Sequence, residues 1–223
     1  LYYAITLYLV QLSQEFILGY RKHHPNIQSF YGGNLSLDEV SEKLRLTPDS
    51  VWYKPHYKKF RQKVRQELKS HTDHKIVLHL DIQNFYDEIS IPLLLDLLDK
   101  DIKFGIKRKL CYDEVTQSQL ISFFEFMMGN KGGIPQTDND ISSSFLGHLF
   151  LIFGDVLIEQ EIQKDDGLLE TYSIIRYMDD IYIFLAFREN TSEKRQKKNI
   201  RSLTYRIADC LYERLGLRLN TKT

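Results

Sequence analysis

The chain has 223 residues and a formal net charge of zero at neutral pH, with 30 Lys and Arg against 30 Asp and Glu. No overall charge excess announces a polyanion partner, so any such signal must come from local clustering. A hydrophobic content of 43% with 13 Phe and 14 Tyr supports a sizeable core in one domain or two lobes, and the two cysteines, Cys111 and Cys210, show neither metal-ligand spacing nor a secreted disulfide pattern. A soluble, globular protein of a reducing cytoplasm is the expectation.

Residues 1–21 carry apolar positions at three- and four-residue spacing and predict a helix ending near Gly19 or His23-His24-Pro25. Gln11, Ser13, Gln14 and Glu15 interrupt its apolar character, and no basic segment precedes it, which argues against a signal peptide or a membrane span. A second apolar run, 141–158, holds His148 and Asp155 and suits a buried helix, so no membrane partner is expected. The first residue is Leu and the last falls inside what looks like a motif, so the expectation is a piece of something longer.

A loop with Gly32-Gly33 follows the first helix. Ser36-Leu37-Asp38-Glu39 reads as a capping box, predicting a short helix to about Leu46, with another starting at Thr47-Pro48-Asp49. Residues 54–69 turn basic: Lys54, Lys58, Lys59, Arg61, Lys63, Arg65 and Lys69 against Glu67. Phe60, Val64 and Leu68 recur every four residues as a stripe to bury, with Arg61, Arg65 and Lys69 along a neighbouring stripe. Such a cationic edge is either a solvated face or, beside a polymerising site, a track for phosphates.

Ile76-Val77-Leu78-His79-Leu80-Asp81 is an apolar run of strand length ending in an acid, and an Asp there is costly unless paired or metal-bound. Pro92 opens a Leu-rich helix, residues 101–117 read as charged and irregular, and a further helix spans 118–128 and stops at Gly129-Asn130. Lys131-Gly132-Gly133-Ile134-Pro135-Gln136 is a Gly-rich turn, and Thr137-Asp138-Asn139-Asp140 supplies N-caps for a long apolar helix through about Glu161. Gln136 belongs to a plain turn or hydrogen-bonds a base or sugar edge.

Two strands over 168–177 and 181–187 predict a hairpin with Asp179 and Asp180 at its tip, in Ile174-Ile175-Arg176-Tyr177-Met178-Asp179-Asp180-Ile181-Tyr182-Ile183-Phe184. Asp is common in exposed turns; paired carboxylates are also the hard oxygen ligands that Mg²⁺ prefers, and Asp81 is the partner such a site needs. Residues 192–215 predict a helix whose segment Lys194-Arg195-Gln196-Lys197-Lys198 reads as a solvated face. Gly216 ends it, and 217–223 look like a further strand and turn.

An acid-ended strand, a Gly-Ile-Pro-Gln turn into a helix, an Asp-Asp hairpin, then Gly216-Leu217-Arg218-Leu219-Asn220-Thr221-Lys222, in that order, resembles the palm of reverse transcriptases over residues 71–223. Asp81 with Phe85-Tyr86 looks like the family's first catalytic motif, Gly133-Ile134-Pro135-Gln136 like its second, and Tyr177-Met178-Asp179-Asp180 like its metal-binding hairpin. Tyr53-Lys54-Pro55-His56-Tyr57-Lys58-Lys59-Phe60 ahead of Asp81-Ile82-Gln83-Asn84-Phe85-Tyr86-Asp87-Glu88-Ile89 is closest in look to bacterial abortive-infection, defence-associated members. Thr137 departs from the family, which mostly places Gly after Pro-Gln; a side chain there crowds the template base and leaves templated copying open.

The resemblance implies an α+β, right-hand palm: an antiparallel sheet backed by helices, with mainly helical fingers and no thumb in these residues. Residues 1–70 would be the helical N-terminal fingers, 71–100 palm, 101–133 a fingers insertion and 134–223 palm. It implies transfer of deoxynucleotides to a 3′ or protein hydroxyl by two Mg²⁺ ions, with Mn²⁺ as a substitute, held by Asp81, Asp179, Asp180 and the Ile82 carbonyl. Tyr86 stands where the family has an aromatic gate against the 2′ hydroxyl, beside Phe85. Arg61 and Arg65 would contact triphosphate or template, and Lys222 the leaving pyrophosphate. The implied partners are dNTPs, an RNA or DNA template and primer or a protein primer, and a partner subunit or second copy in place of the thumb. An RNA-dependent RNA polymerase, or a catalytically silent nucleic-acid-binding scaffold, are the alternatives.

Overall fold

The computed structural model describes residues 1–31, 35–38, 43–46, 54–70, 75–136, 141–165 and 167–220, of which 35–38 and 43–46 are described as backbone. Helix α1 (Tyr2–His23) buries Leu9, Leu12, Ile17 and Tyr20. Strand β1 (Ile27–Phe30) follows, then β2 (Leu35–Asp38) and β3 (Lys43–Leu46), and the basic helix α2 (Lys54–Lys69). Strand β4 (Lys75–Asp81) leads through the short α3 (Phe85–Glu88) into α4 (Ile91–Asp101), α5 (Phe104–Lys109) and α6 (Glu114–Met127). The long α7 (Ile141–Gln163), the hairpin β5 (Leu169–Tyr177) and β6 (Asp180–Phe187), and α8 (Glu193–Leu215) complete it. The fold is α+β: a four-stranded sheet of order β1-β5-β6-β4 backed by helices.

The sheet is mixed, where an antiparallel one was expected. β4, β6 and β5 are antiparallel neighbours, but β1 lies parallel to β5, from Ile27 opposite Ile174 to Phe30 opposite Tyr177. Ile27-Gln28-Ser29-Phe30 is too short to show an alternating pattern; its strand character comes from β5, whose Ile174 N–H donates to the Asn26 carbonyl at 2.9 Å. The helix expected from Ser36 to Leu46 is instead the antiparallel pair β2 and β3, with Asp38 opposite Lys43 and Ser36 opposite Arg45. Leu35-Ser36-Leu37-Asp38 and Lys43-Leu44-Arg45-Leu46 alternate with period two, and that pattern outweighs a capping-box match. Gly32-Gly33, Glu39 and the start at Thr47-Pro48-Asp49 lie outside the described residues.

Residues 101–117, expected to be irregular, contain α5 and the start of α6. The Asp113 side chain accepts from the Thr116 N–H at 2.8 Å, an N-cap that begins the helix ahead of the expected Ser118. Ser90 likewise caps α4 through the Leu93 N–H, with Pro92 in the first turn. Gly216, with φ of 72°, ends α8 in the left-handed conformation that glycine adopts without strain.

Among the described residues α7 alone is long and apolar enough to cross a membrane, and 72% of its apolar window is buried inside the protein. It is apolar on all sides because it is enclosed by α1, α8 and the sheet. Side chains of the sheet alternate between two faces. Ile174, Ile181, Ile183 and Leu185 join the main core with Phe145, Leu149 and Ile152 of α7. Ile175 and Phe184, flanked by Val77, Tyr177 and Tyr182, face α2 and enclose Phe60 and Val64. Leu68, expected in that buried stripe, is 43% exposed.

Candidate active site

The connection between β5 and β6 is two residues, Met178 and Asp179, closed by Tyr177 opposite Asp180. In the neighbouring register Asp180 stands opposite Asp81 at the end of β4. The three acids expected to act together therefore meet at one end of the sheet. Strand parity puts Asp81 on the face of Val77 and His79, and Asp180 on the face of Tyr182 and Phe184, which is the face α2 covers.

Each carboxylate has a different environment. Asp81 accepts from the Asn220 side-chain amide at 2.7 Å, and the Asn220 N–H donates to the Asp81 carbonyl at the same distance. Asp180 lies 3.0 Å from His79 Nε2, whose ring stacks on Tyr182 with centroids 4.4 Å apart. Burial pushes the Asp179 carboxyl above its ordinary value; Asp180 and Asp81 push the same way, against a backbone hydrogen bond and Arg176. A group so crowded by negative charge is stabilised in its ionised form by a cation.

Among the described residues no three His, Cys, Asp or Glu side chains already converge in metal-ligand geometry; Asp81 is engaged by Asn220 and Asp180 by His79. The donor set nonetheless fits Mg²⁺: it is all oxygen and mostly anionic, and Asp179 is raised by burial and then by its acidic neighbours. Ile82 pairs with Leu219 through two flanking bonds, Gln83 N–H to the Arg218 carbonyl and Asn220 N–H to the Asp81 carbonyl. Neither uses the Ile82 carbonyl, so the oxygen expected as a ligand lies outside that bridge.

Two glycines tie the other motifs to one another and to the hairpin turn. Gly133 has φ of 80°, and a Cβ there would stand 2.8 Å from the Tyr86 carbonyl oxygen and 2.9 Å from Asp87 Cα. The Ile134 N–H donates to that same carbonyl at 3.0 Å. Only glycine permits this approach, and it ties the Gly-rich turn to the residue expected to gate the sugar. Gly147 of α7 passes so close that a Cβ would lie 2.9 Å from Phe85 Cε1 and 3.1 Å from Met178 Cε. Gly147→Ala gains helix propensity but overpacks this contact, and a net loss of about 1–2 kcal/mol is expected, read as a lower urea midpoint. An unchanged midpoint would show that Phe85 and Met178 have room to move.

Phe85 is thus a core residue, 3% exposed. It supports the half-buried Tyr86, whose ring lies 5.0 Å away, and is closed to a ligand. Gln136 is exposed beside the turn. Lys222 and Thr137 lie outside the described residues.

Helix α2 presents its cations in an open groove of about 770 Å³ lined by Lys54, Lys58, Arg61, Arg65 and Lys69 with Tyr57. Arg61 donates to the Tyr57 hydroxyl at 3.3 Å, with its guanidinium 5.8 Å from the ring centroid. That hydrogen bond and the charge interaction with Tyr57 are the chief reasons its pKa is raised, with smaller contributions from Tyr182 and Asp180. Tyr57 packs edge-on against Tyr177 at 5.2 Å, so the groove begins beside the hairpin tip.

Sequence reasoning missed His79, Asn220, Gly147 and the buried partners of Arg176. Asn220 and Arg176 sit inside the motifs; His79 shares the face of Asp81 by strand parity, a signal that was available. Gly147 carries no local signal, because its use depends on which residues the helix crosses. Neither a protein-family profile nor a curated protein matches the chain.

Proposed function

We propose that the chain carries the nucleotidyl-transfer centre of a reverse-transcriptase-type DNA polymerase, extending a 3′ or protein hydroxyl with deoxynucleotides. The observation that carries this reading is the meeting of Asp81, Asp179 and Asp180 at one sheet end. The cationic groove of α2 begins beside the hairpin that carries two of them. A pair of Mg²⁺ ions held by Asp81, Asp179, Asp180 and the Ile82 carbonyl would supply Lewis-acid activation of the hydroxyl and charge neutralisation of the departing pyrophosphate.

The chain's own residues do the rest. Tyr86, whose carbonyl accepts from the Ile134 N–H, is the aromatic side chain that would exclude a 2′ hydroxyl by size. Arg61, Arg65 and the lysines of α2 neutralise phosphates without reading bases. His79 and Asn220 keep Asp180 and Asp81 oriented before metal arrives. By its resemblance to abortive-infection enzymes the protein belongs to bacterial anti-phage defence in the cytoplasm, and whether its synthesis copies a template is decided by the test that follows.

The test is incubation with Mg²⁺ and each labelled dNTP or rNTP, with and without added template, followed by nuclease and protease treatment of the product. Growth of product with dNTPs supports the proposal; growth without template, and protease-sensitive mobility, point to untemplated and protein-primed synthesis. Tyr86→Ala is expected to raise rNTP use relative to dNTP by about 10–100-fold. Preference of the unaltered protein for rNTPs would favour an RNA polymerase, and absence of both incorporation and Asp81-dependent Mn²⁺ binding would favour a nucleic-acid-binding scaffold.

A further inference from the structure

Among the described residues Arg176 is the largest fully buried side chain, on the sheet face that packs against α7. Its Nε donates to Asp155 Oδ1 and its Nη2 to Asp155 Oδ2, each at 2.7 Å, a bidentate pair with both partners buried. The Tyr20 hydroxyl adds a third bond to Asp155 at 2.8 Å, and Nη2 also reaches His148 Nδ1 at 3.4 Å. The remaining arm, Nη1, donates to the Met178 carbonyl at 3.3 Å. A buried ion pair is seldom retained for stability, since an apolar pair of similar volume commonly does as well. The arm aimed at the hairpin turn supplies a different reason.

Met178 is held in the left-handed region at φ 49°, where a methionine is strained. Every part of it is tied down. Its N–H donates to the Phe30 carbonyl at 3.2 Å, its carbonyl accepts from Arg176, and its side chain is buried against Gly147. A strained residue persists where its surroundings over-determine it, and this one immediately precedes Asp179.

We propose that Arg176 is a positioning residue: anchored by Asp155 and His148 of α7, its guanidinium fixes the Met178 carbonyl and so the direction in which Asp179 presents its carboxylate. This rests on the reading of Asp179 as a metal ligand. Lysine at 176 keeps the charge beside Asp155, but its single ammonium cannot hold both carboxylate oxygens and the turn carbonyl.

The test compares Mn²⁺ binding, followed by electron paramagnetic resonance, in the whole chain, in Arg176→Lys, and in the charge-free double variant Asp155→Leu with Arg176→Met. Near-UV circular dichroism establishes folding. Both variants are expected to bind Mn²⁺ about 10-fold or more weakly, as loss of an outer-shell partner typically does. The Mg²⁺ concentration for half-maximal incorporation should rise by the same factor, with the dNTP KM at saturating Mg²⁺ unchanged. A folded variant with the original Mn²⁺ affinity overturns the positioning role; so does failure of both variants to fold, which would assign the pair to the core alone. Asp179→Asn leaving Mn²⁺ affinity unchanged would instead sink the metal-ligand reading itself.

Discussion

Asp179→Asn is expected to lower nucleotide incorporation on the order of 10³-fold, the scale of losing one group that stabilises transition-state charge, and yet to make the metal-free protein more stable. The first effect follows from removing an anionic oxygen ligand at nearly constant volume. The second follows from the pKa shift. Burial raises the Asp179 carboxyl first, and Asp180 and Asp81 raise it further, so the folded state holds a proton there more tightly than the unfolded chain does. Stability is therefore complete below the ordinary value of 3.8 and is lost as pH rises through the folded value. Asparagine has no such loss at neutral pH. The melting temperature of Asp179→Asn should exceed that of the unaltered protein at pH 7, and the gap should close on acidification toward the ordinary carboxylate range. Mg²⁺ should reverse the order: at about 100 times its Kd, a ligand bound only by the folded state adds about 2.7 kcal/mol, or about 5–10 °C for a chain of this size. An Asn variant that incorporates normally would remove Asp179 from the catalytic centre, and one with no gain in metal-free stability would show that the carboxylate is not strained.

The acids, the hairpin and the basic helix were legible because each is local: alternation over 174–184, an acid ending an apolar strand at Asp81, and a four-residue recurrence from Phe60 to Val64. Elements whose identity depends on a partner were not. Strand β1 takes its hydrogen bonds from β5, and the parallel pairing reaches across most of the chain. The β2 and β3 pair runs against the expected helix because Ser36 and Glu39 match a capping box while the alternating leucines carry the stronger period. Leu68 continues the helical stripe of α2 but emerges into solvent, so periodicity alone overstates burial. At the site, the sequence places Phe85 beside Tyr86 without telling which ring faces the cleft. Packing against Gly147 decides it, and Phe85 goes inward.

The largest effect on stability is expected at Arg176, where no ligand is touched. Arg176→Met leaves the Asp155 carboxylate, 1% exposed, with the Tyr20 hydroxyl at 2.8 Å and no countercharge on the guanidinium side. Stranding one member of a buried pair costs about 3–5 kcal/mol, which lowers the melting temperature by roughly 6–20 °C for a protein of this length. Adding Asp155→Leu removes the stranded charge, and most of the loss should return. What remains, about 1–3 kcal/mol, belongs to the Tyr20 hydroxyl and the Met178 carbonyl, which lose their partners inside the core. A double-mutant cycle on urea midpoints therefore gives a large coupling between positions 155 and 176. A single variant costing under about 1 kcal/mol would mean that water reaches Asp155 and that the pair is not the sealed one these distances describe. The same cycle separates the two uses of the pair: stability returns when both charges are gone, whereas the hold on the Met178 carbonyl does not, because methionine has no donor to offer it.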